Sequence, residues 1–126
     1  MPEKSAEDFS AAGEAFKKGE LYVSKREVKA RFLRANLPVP VIKKAWFEDL
    51  TDEDLPEEIS FAFLDGDLYS SIKTSLKLVG DKINGTIIVH DYNNPELPGV
   101  TKAVDEFLKE KDFKLNVRES LAILRK

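Results

Sequence analysis

Apolar residues recur at helical spacing in three stretches of the chain and run almost unbroken in two others. Val28, Phe32, Leu33 and Ala35 give one apolar side to a helix that starts at Ser24. Ser24 and Glu27 have the spacing of a capping box, in which each side chain satisfies a free backbone N–H at the helix start. Pro38 and Pro40 are expected to end it. Val41 to Phe47 reads as a strand. Ile59–Leu64 (ISFAFL), bounded by Pro56 and Gly66, reads as a central parallel strand covered on both faces. Leu68, Ile72, Leu76, Val79 and Ile83 mark a second helix, and Asn84-Gly85 a turn. Thr86–Val89 (TIIV) is a second buried strand. Val100, Ala103, Val104, Phe107 and Leu108 mark a third helix. Phe113–Val117 and Leu121–Leu124 flank Arg118-Glu119-Ser120 and predict a closing antiparallel hairpin.

Strands that alternate with helices predict an α/β fold. The sheet is expected to be mostly parallel and Rossmann-like, with right-handed crossovers, flanking helices and one antiparallel strand from the C-terminal hairpin. The whole chain, 1–126, reads as a single domain. Residues 1–20, broken by Gly13 and Gly19, read as a loose polar leader, and 21–126 as the folded part.

The 126 residues carry 20 basic and 23 acidic side chains, a net charge of −3. With 42% apolar residues there is enough to build one core, and no apolar run approaches the roughly 20 residues needed to span a bilayer. The acidic, polar start is not a secretory signal. The absence of cysteine excludes disulfides, thiolate zinc sites and thiol nucleophiles. Without a basic stripe, nucleic acid is not an expected partner. Together these features predict a cytoplasmic protein without a membrane partner. Glu48–Glu58 holds seven acids and no base, and reads as a solvated loop.

The candidate chemistry lies where α/β sheets place it, beyond the C-terminal ends of strands. ISFAFL runs into Asp65-Gly66-Asp67-Leu68-Tyr69, and TIIV into His90-Asp91-Tyr92-Asn93-Asn94. If the two strands are neighbours, Asp65, Asp67, His90 and Asp91 meet at one edge. Three carboxylates and an imidazole repel unless a proton or a cation neutralises them. Mg²⁺ takes oxygen ligands, and His90 shifts the preference towards Mn²⁺ or a later metal. Each group also has a plainer reading. Asp65 can close a turn with Gly66, Asp67 can cap the next helix, Asp91 can order its loop, and His90 can be a hydrogen-bond partner. Tyr69 and Tyr92 read as packing groups with wet hydroxyls, and Trp46 as core or as a stacking surface. Glycine-rich phosphate loops and a nucleophile elbow are absent. Asp-x-Asp after a buried strand occurs in phosphatases of the haloacid dehalogenase type, but the small residues expected next are Leu68 and Tyr69 here.

Taken as a run, FAFLDGDLYSSIKTSL, GTIIVHDY and PGVTKAVDEFL resemble the C-terminal half of the macrocin O-methyltransferase family. FKKGELYVSKREVKARF and VIKKAWFEDLTDEDLP are also similar to it, so the likeness covers nearly all of the chain. The family's enzymes use S-adenosylmethionine and a divalent metal, Mg²⁺ or Mn²⁺, to methylate hydroxyls such as those of sugars. The resemblance implies that Asp65 and Asp91 bind the metal and that Asp67 is the general base for the acceptor hydroxyl. Asp65 would also border the cofactor, and Trp46 and Phe47 fall where the family approaches the adenine ring. His90 stands where the family commonly has a second Asp.

The family's opening strand, its Gly-rich turn and its second strand have no counterpart here. The resemblance therefore implies a truncated class I methyltransferase fold lacking the first two strands, a fragment with little activity alone. It leaves strand 59–64 with an open apolar edge. Either the strand at 41–47 closes up beside it, or two chains form a homodimer through it. The alternative function is a non-catalytic α/β module that binds a metal or a partner.

Overall fold

The computed structural model describes residues 3–11 and 22–126. The rest of the segment read as a leader, 1–2 and 12–20, lies outside the described residues. Three helices and four strands follow in the order α1 (Lys25–Arg34), β1 (Ile59–Leu64), α2 (Tyr69–Gly80), β2 (Ile83–Val89), α3 (Pro98–Glu110), β3 (Lys114–Arg118) and β4 (Leu121–Arg125). The four strands form one sheet in the order β1-β2-β4-β3. β1 and β2 are parallel, and β4 runs antiparallel to both β2 and β3. It is an α/β fold with a mixed sheet, and the hairpin contributes the one antiparallel strand.

The helical spacings hold except at Ile83, which is the first residue of β2. Ile72, Leu76 and Val79 are buried on α2 with Leu68 buried just before it, and Val100, Ala103, Val104 and Phe107 are buried on α3. The two helices pack on one face of the sheet, against Ile87 and Val89 of β2 and Ala122 and Leu124 of β4. Burying each such side chain contributes about 1.5–3 kcal/mol, so this layer is the main source of stability. Among the described residues no helix is long and apolar enough to cross a membrane.

Ser24 and Glu27 form the expected capping box, with Ser24 Oγ accepting from the Glu27 amide at 3.2 Å. The prolines are not what ends α1. Asn36 takes a left-handed φ of 54°, and the amides of Leu37 and Asn36 donate to Phe32 and Leu33. That is a Schellman stop, completed before the chain reaches Pro38.

Four further expectations are corrected. Residues 41–47 form no strand: Val41 is fully exposed, and the first regular turn there is a 3-10 turn at Phe47–Asp49. A strand needs a partner ladder, and among the described residues no strand lies beside this segment. It therefore does not close up against β1. β1 is an edge strand covered on one face only, with Phe61 and Phe63 more than half exposed on the other. Asn84-Gly85 is not a turn but the start of β2, because a Cβ at Gly85 would lie 1.9 Å from the Ser60 carbonyl oxygen. Glycine lets the two backbones approach where the β1–β2 register shifts. Lastly, residues 3–11 are not loose. They include a 3-10 turn at Ala6–Asp8, and Asp8 is only 2% exposed.

The acidic stretch is exposed, as expected, with Asp54 paired to Lys43 and Asp52 lying 3.9 Å from Lys82 Nζ.

An uncharged, unpaired strand edge is a template for another strand. β1 is expected to pair with β1 of a second copy. Light scattering should then show mass rising with concentration, and Phe63→Lys should return the chain to a monomer. A monomer at every concentration would contradict this.

Candidate metal and acid-base site

Parallel pairing brings the candidate residues together. Leu64 and Val89, the last residues of β1 and β2, are partners, and the His90 amide donates to the Leu64 carbonyl at 3.0 Å. Each chain leaves the sheet at the same level, so Asp65 stands beside His90 and Asp91. One ligand atom from each of these three side chains lies within 4.8 Å of the other two.

His90 Nδ1 is at the centre of the group. It lies 2.9 Å from Asp91 Oδ2 and 3.2 Å from Asp65 Oδ1. It is nevertheless a buried nitrogen with no aligned hydrogen bond. Octahedral bonds of 2.0–2.1 Å place neighbouring ligand atoms about 3 Å apart, close to both of these separations. Two carboxylate oxygens and an imidazole nitrogen therefore suit a divalent cation, with Mn²⁺ favoured over Mg²⁺ by the nitrogen.

Two of the acids sit on unusual backbone. Asp67 has φ 60° and Asp91 φ 59°, the left-handed region that non-glycine residues avoid. Aspartate tolerates it better than most residues, and such strain collects where side-chain direction matters. Asp91 is further held by Asn94, whose Nδ2 donates to Asp91 Oδ1 at 2.9 Å. One Asp91 oxygen is thus fixed by Asn94, while the other faces His90. Asn94 is a positioning residue that the sequence reading did not single out. Its signal is local, an Asn three residues after Asp91 in a turn that precedes a proline.

Asp67 stands beside the trio rather than in it. Burial raises its pKa first, and the negative charges of Asp65 and Asp91 add to that, against a smaller opposing pull from His90. It does not cap α2, whose N-cap residue is Leu68 and carries no side-chain cap. The carboxyl is left free and more basic than usual, the property a proton acceptor needs.

The aromatic candidates divide. Phe47 abuts the site loop, since a Cβ on Gly66 would sit 3.5 Å from Phe47 Cε2. Trp46 is 56% exposed and not part of the core. Tyr92 is buried, and its hydroxyl donates to Asp105 Oδ1 at 2.8 Å; burial, then Asp105, pushes its pKa up to about 12. Tyr69 donates to Glu106 Oε2 at 2.8 Å. Neither tyrosine hydroxyl is simply wet.

The family model for Macrocin-O-methyltransferase (TylF) matches residues 1–120. The solved structure of the O-methyltransferase NovP has a similar fold, with a TM-score of 0.68 and 24% identity over 82% of this chain. The chain spans 45% of the NovP chain, less than half its length. No curated protein matches the chain.

The charge crowding makes a prediction with a definite sign. A carboxyl whose folded pKa is raised costs stability as pH rises through that pKa. Asp65→Asn removes one of the two charges that raise Asp67. It should lower the Asp67 pKa and stabilise the metal-free fold by roughly 0.5 kcal/mol where the carboxylates are ionised, with no gain once they are protonated. Carbon-13 NMR titration and thermal melts would check both. Destabilisation of the same size across the whole pH range would instead make Asp65 a turn-closing residue.

Proposed function

The chain belongs to the macrocin-O-methyltransferase (TylF) family, and from that premise we propose that it carries the metal and acid-base site of an O-methyltransferase dependent on S-adenosylmethionine and a divalent ion. The observation that supports this most is the buried His90 Nδ1, which lacks a hydrogen bond yet lies within 3.2 Å of two carboxylate oxygens. Asp65, His90 and Asp91 would hold the ion, Mn²⁺ or Mg²⁺. Bound there, it would make an acceptor hydroxyl a stronger acid.

Asp67 would take the proton of that hydroxyl. Its raised pKa suits it to accept the proton, and its place beside the trio keeps it off the ion. Asp65 is exposed enough to border the methyl donor as well as the metal. Phe47, and Trp46 next to it, would lie against a flat ring such as adenine, with Phe47 better placed because it touches the site loop.

Among the described residues no glycine-rich turn follows a strand. The described residues thus form no cradle for the methionine end of S-adenosylmethionine, and this chain alone is expected to turn over little. The fold is read as a truncated Rossmann-like methyltransferase domain. The acceptor class is a hydroxyl compound such as a sugar, and the working compartment the cytoplasm.

Calorimetry tests the reading. Mn²⁺ should bind the wild-type chain. His90→Ala and Asp91→Asn should each weaken it by about tenfold or more, whereas Asp67→Asn should change it far less. S-adenosylhomocysteine added to the Mn²⁺ form separates a methyltransferase site, which should bind it weakly through its adenine end, from a module that takes metal alone. Absence of Mn²⁺ binding to the wild type would overturn the proposal.

A further inference from the structure

A buried carboxyl meets the starts of the two helices that follow the acidic loops, and it lies far from them in sequence. α2 begins at Tyr69, directly after Asp65-Gly66-Asp67-Leu68, and Leu68 cannot cap it. The Tyr69 amide instead donates to Asp8 Oδ1 at 2.6 Å, across 61 residues of sequence. The second oxygen, Oδ2, accepts from the Ser5 amide at 3.0 Å and from Ser5 Oγ at 2.9 Å.

Asp8 also meets the start of α3. Pro98 and Gly99 open that helix, and a Cβ on Gly99 would lie 2.0 Å from Asp8 Oδ1. One carboxyl group therefore sits at two helix N-termini, where backbone N–H groups and helix dipoles favour negative charge. It is almost fully buried, and no ion pair to it is seen among the described residues. A carboxylate without a cation is costly to bury unless donors surround it, which fixes its position tightly. The segment around it is fastened too, by Glu7 to Lys102 Nζ at 3.4 Å and by Ser10 Oγ to the Pro95 carbonyl.

The two helices that Asp8 joins are the two that follow the site loops. Asp65–Leu68 leads into α2, and His90–Leu97 leads into α3. We propose that Asp8 is a positioning residue of the acidic site, a remote cap that sets the separation of the Asp65 loop from the His90–Asp91 loop. This rests on the reading of Asp65, His90 and Asp91 as a cation site. No contact between Asp8 and those three side chains is needed, because the effect passes through the helix starts.

Mn²⁺ calorimetry and amide hydrogen exchange on the full chain test it together. Asp8→Ala should speed exchange at the Tyr69 amide and raise the Mn²⁺ Kd about tenfold, a typical loss when a supporting partner is removed. Asp8→Asn keeps an oxygen acceptor and should recover most of the affinity. Gly99→Ala leaves Asp8 intact but displaces its carboxyl, and should weaken Mn²⁺ in the same direction, which keeps the test open if Asp8→Ala does not fold. Ser24→Ala removes the cap of α1, which carries no site residue, and should lower stability with Mn²⁺ affinity unchanged. Faster exchange at Tyr69 with an unchanged Mn²⁺ Kd in both Asp8→Ala and Gly99→Ala would reduce Asp8 to a helix cap and overturn the proposal. A wild-type chain that binds no Mn²⁺ would overturn the cation-site reading, and with it the proposed role of Asp8, whatever the exchange shows.

Discussion

The structure depends on the parallel pairing of β1 with β2. Neighbouring strands lie about 4.8 Å apart, and a parallel ladder makes both leave the sheet at the same end. With Leu64 opposite Val89, the next residues of both chains emerge side by side. A slip of one residue would turn Ala62 and Leu64 outward and Phe61 and Phe63 towards the helices. It would also part Asp65 from His90. The register that fills the core is the register that assembles the site, and Gly85 protects it by admitting the Ser60 carbonyl.

Assembly of that kind has an electrostatic cost. Asp65 and Asp91 flank one imidazole with Asp67 beside them, and the pKa of Asp67 is raised by its own burial first and by the charges of Asp65 and Asp91 second. Two of the three adopt left-handed backbone. The surrounding structure offsets this with directed contacts. Asn94 fixes Asp91, the Tyr92 amide donates to the Ser120 carbonyl, and Asp8 accepts from the Tyr69 amide at the start of α2. A cation between the carboxylates would remove the repulsion without altering those contacts. The crowding is thus better matched to a loaded site than to an empty one.

Most of the sheet and both packed helices were legible in the sequence because their signals are local. Apolar residues at helical spacing fixed α2 and α3, and acids after two apolar runs marked the strand ends. The end of α1 was missed for a local reason, the left-handed Asn36, but the other failures share a cause, since each turned on a partner distant in sequence. ISFAFL looked covered on both faces because its composition is apolar, but coverage depends on which elements lie beside it. The segment at 41–47 has strand-like residues and no ladder to join. Asn84-Gly85 has the composition of a turn, yet Gly85 is needed for the approach of Ser60. Asp8, in a stretch that reads as polar and loose, has no neighbouring residue that announces its burial against Tyr69 and Gly99. The likeness to the macrocin-O-methyltransferase family was legible from the Leu-Asp-Gly-Asp-Leu-Tyr run and the Asp-Tyr that follows β2. The hydrogen-bond state of His90 was not, because it depends on the β1–β2 register.

In the proposed site Asp65, His90 and Asp91 share one cation. Crystals of the protein grown with Mn²⁺ and measured at the manganese absorption edge test this. One anomalous peak is expected about 2.0–2.3 Å from His90 Nδ1 and from a carboxylate oxygen of each aspartate. A peak elsewhere, or none while His90 Nδ1 hydrogen-bonds to a carboxylate, would contradict it.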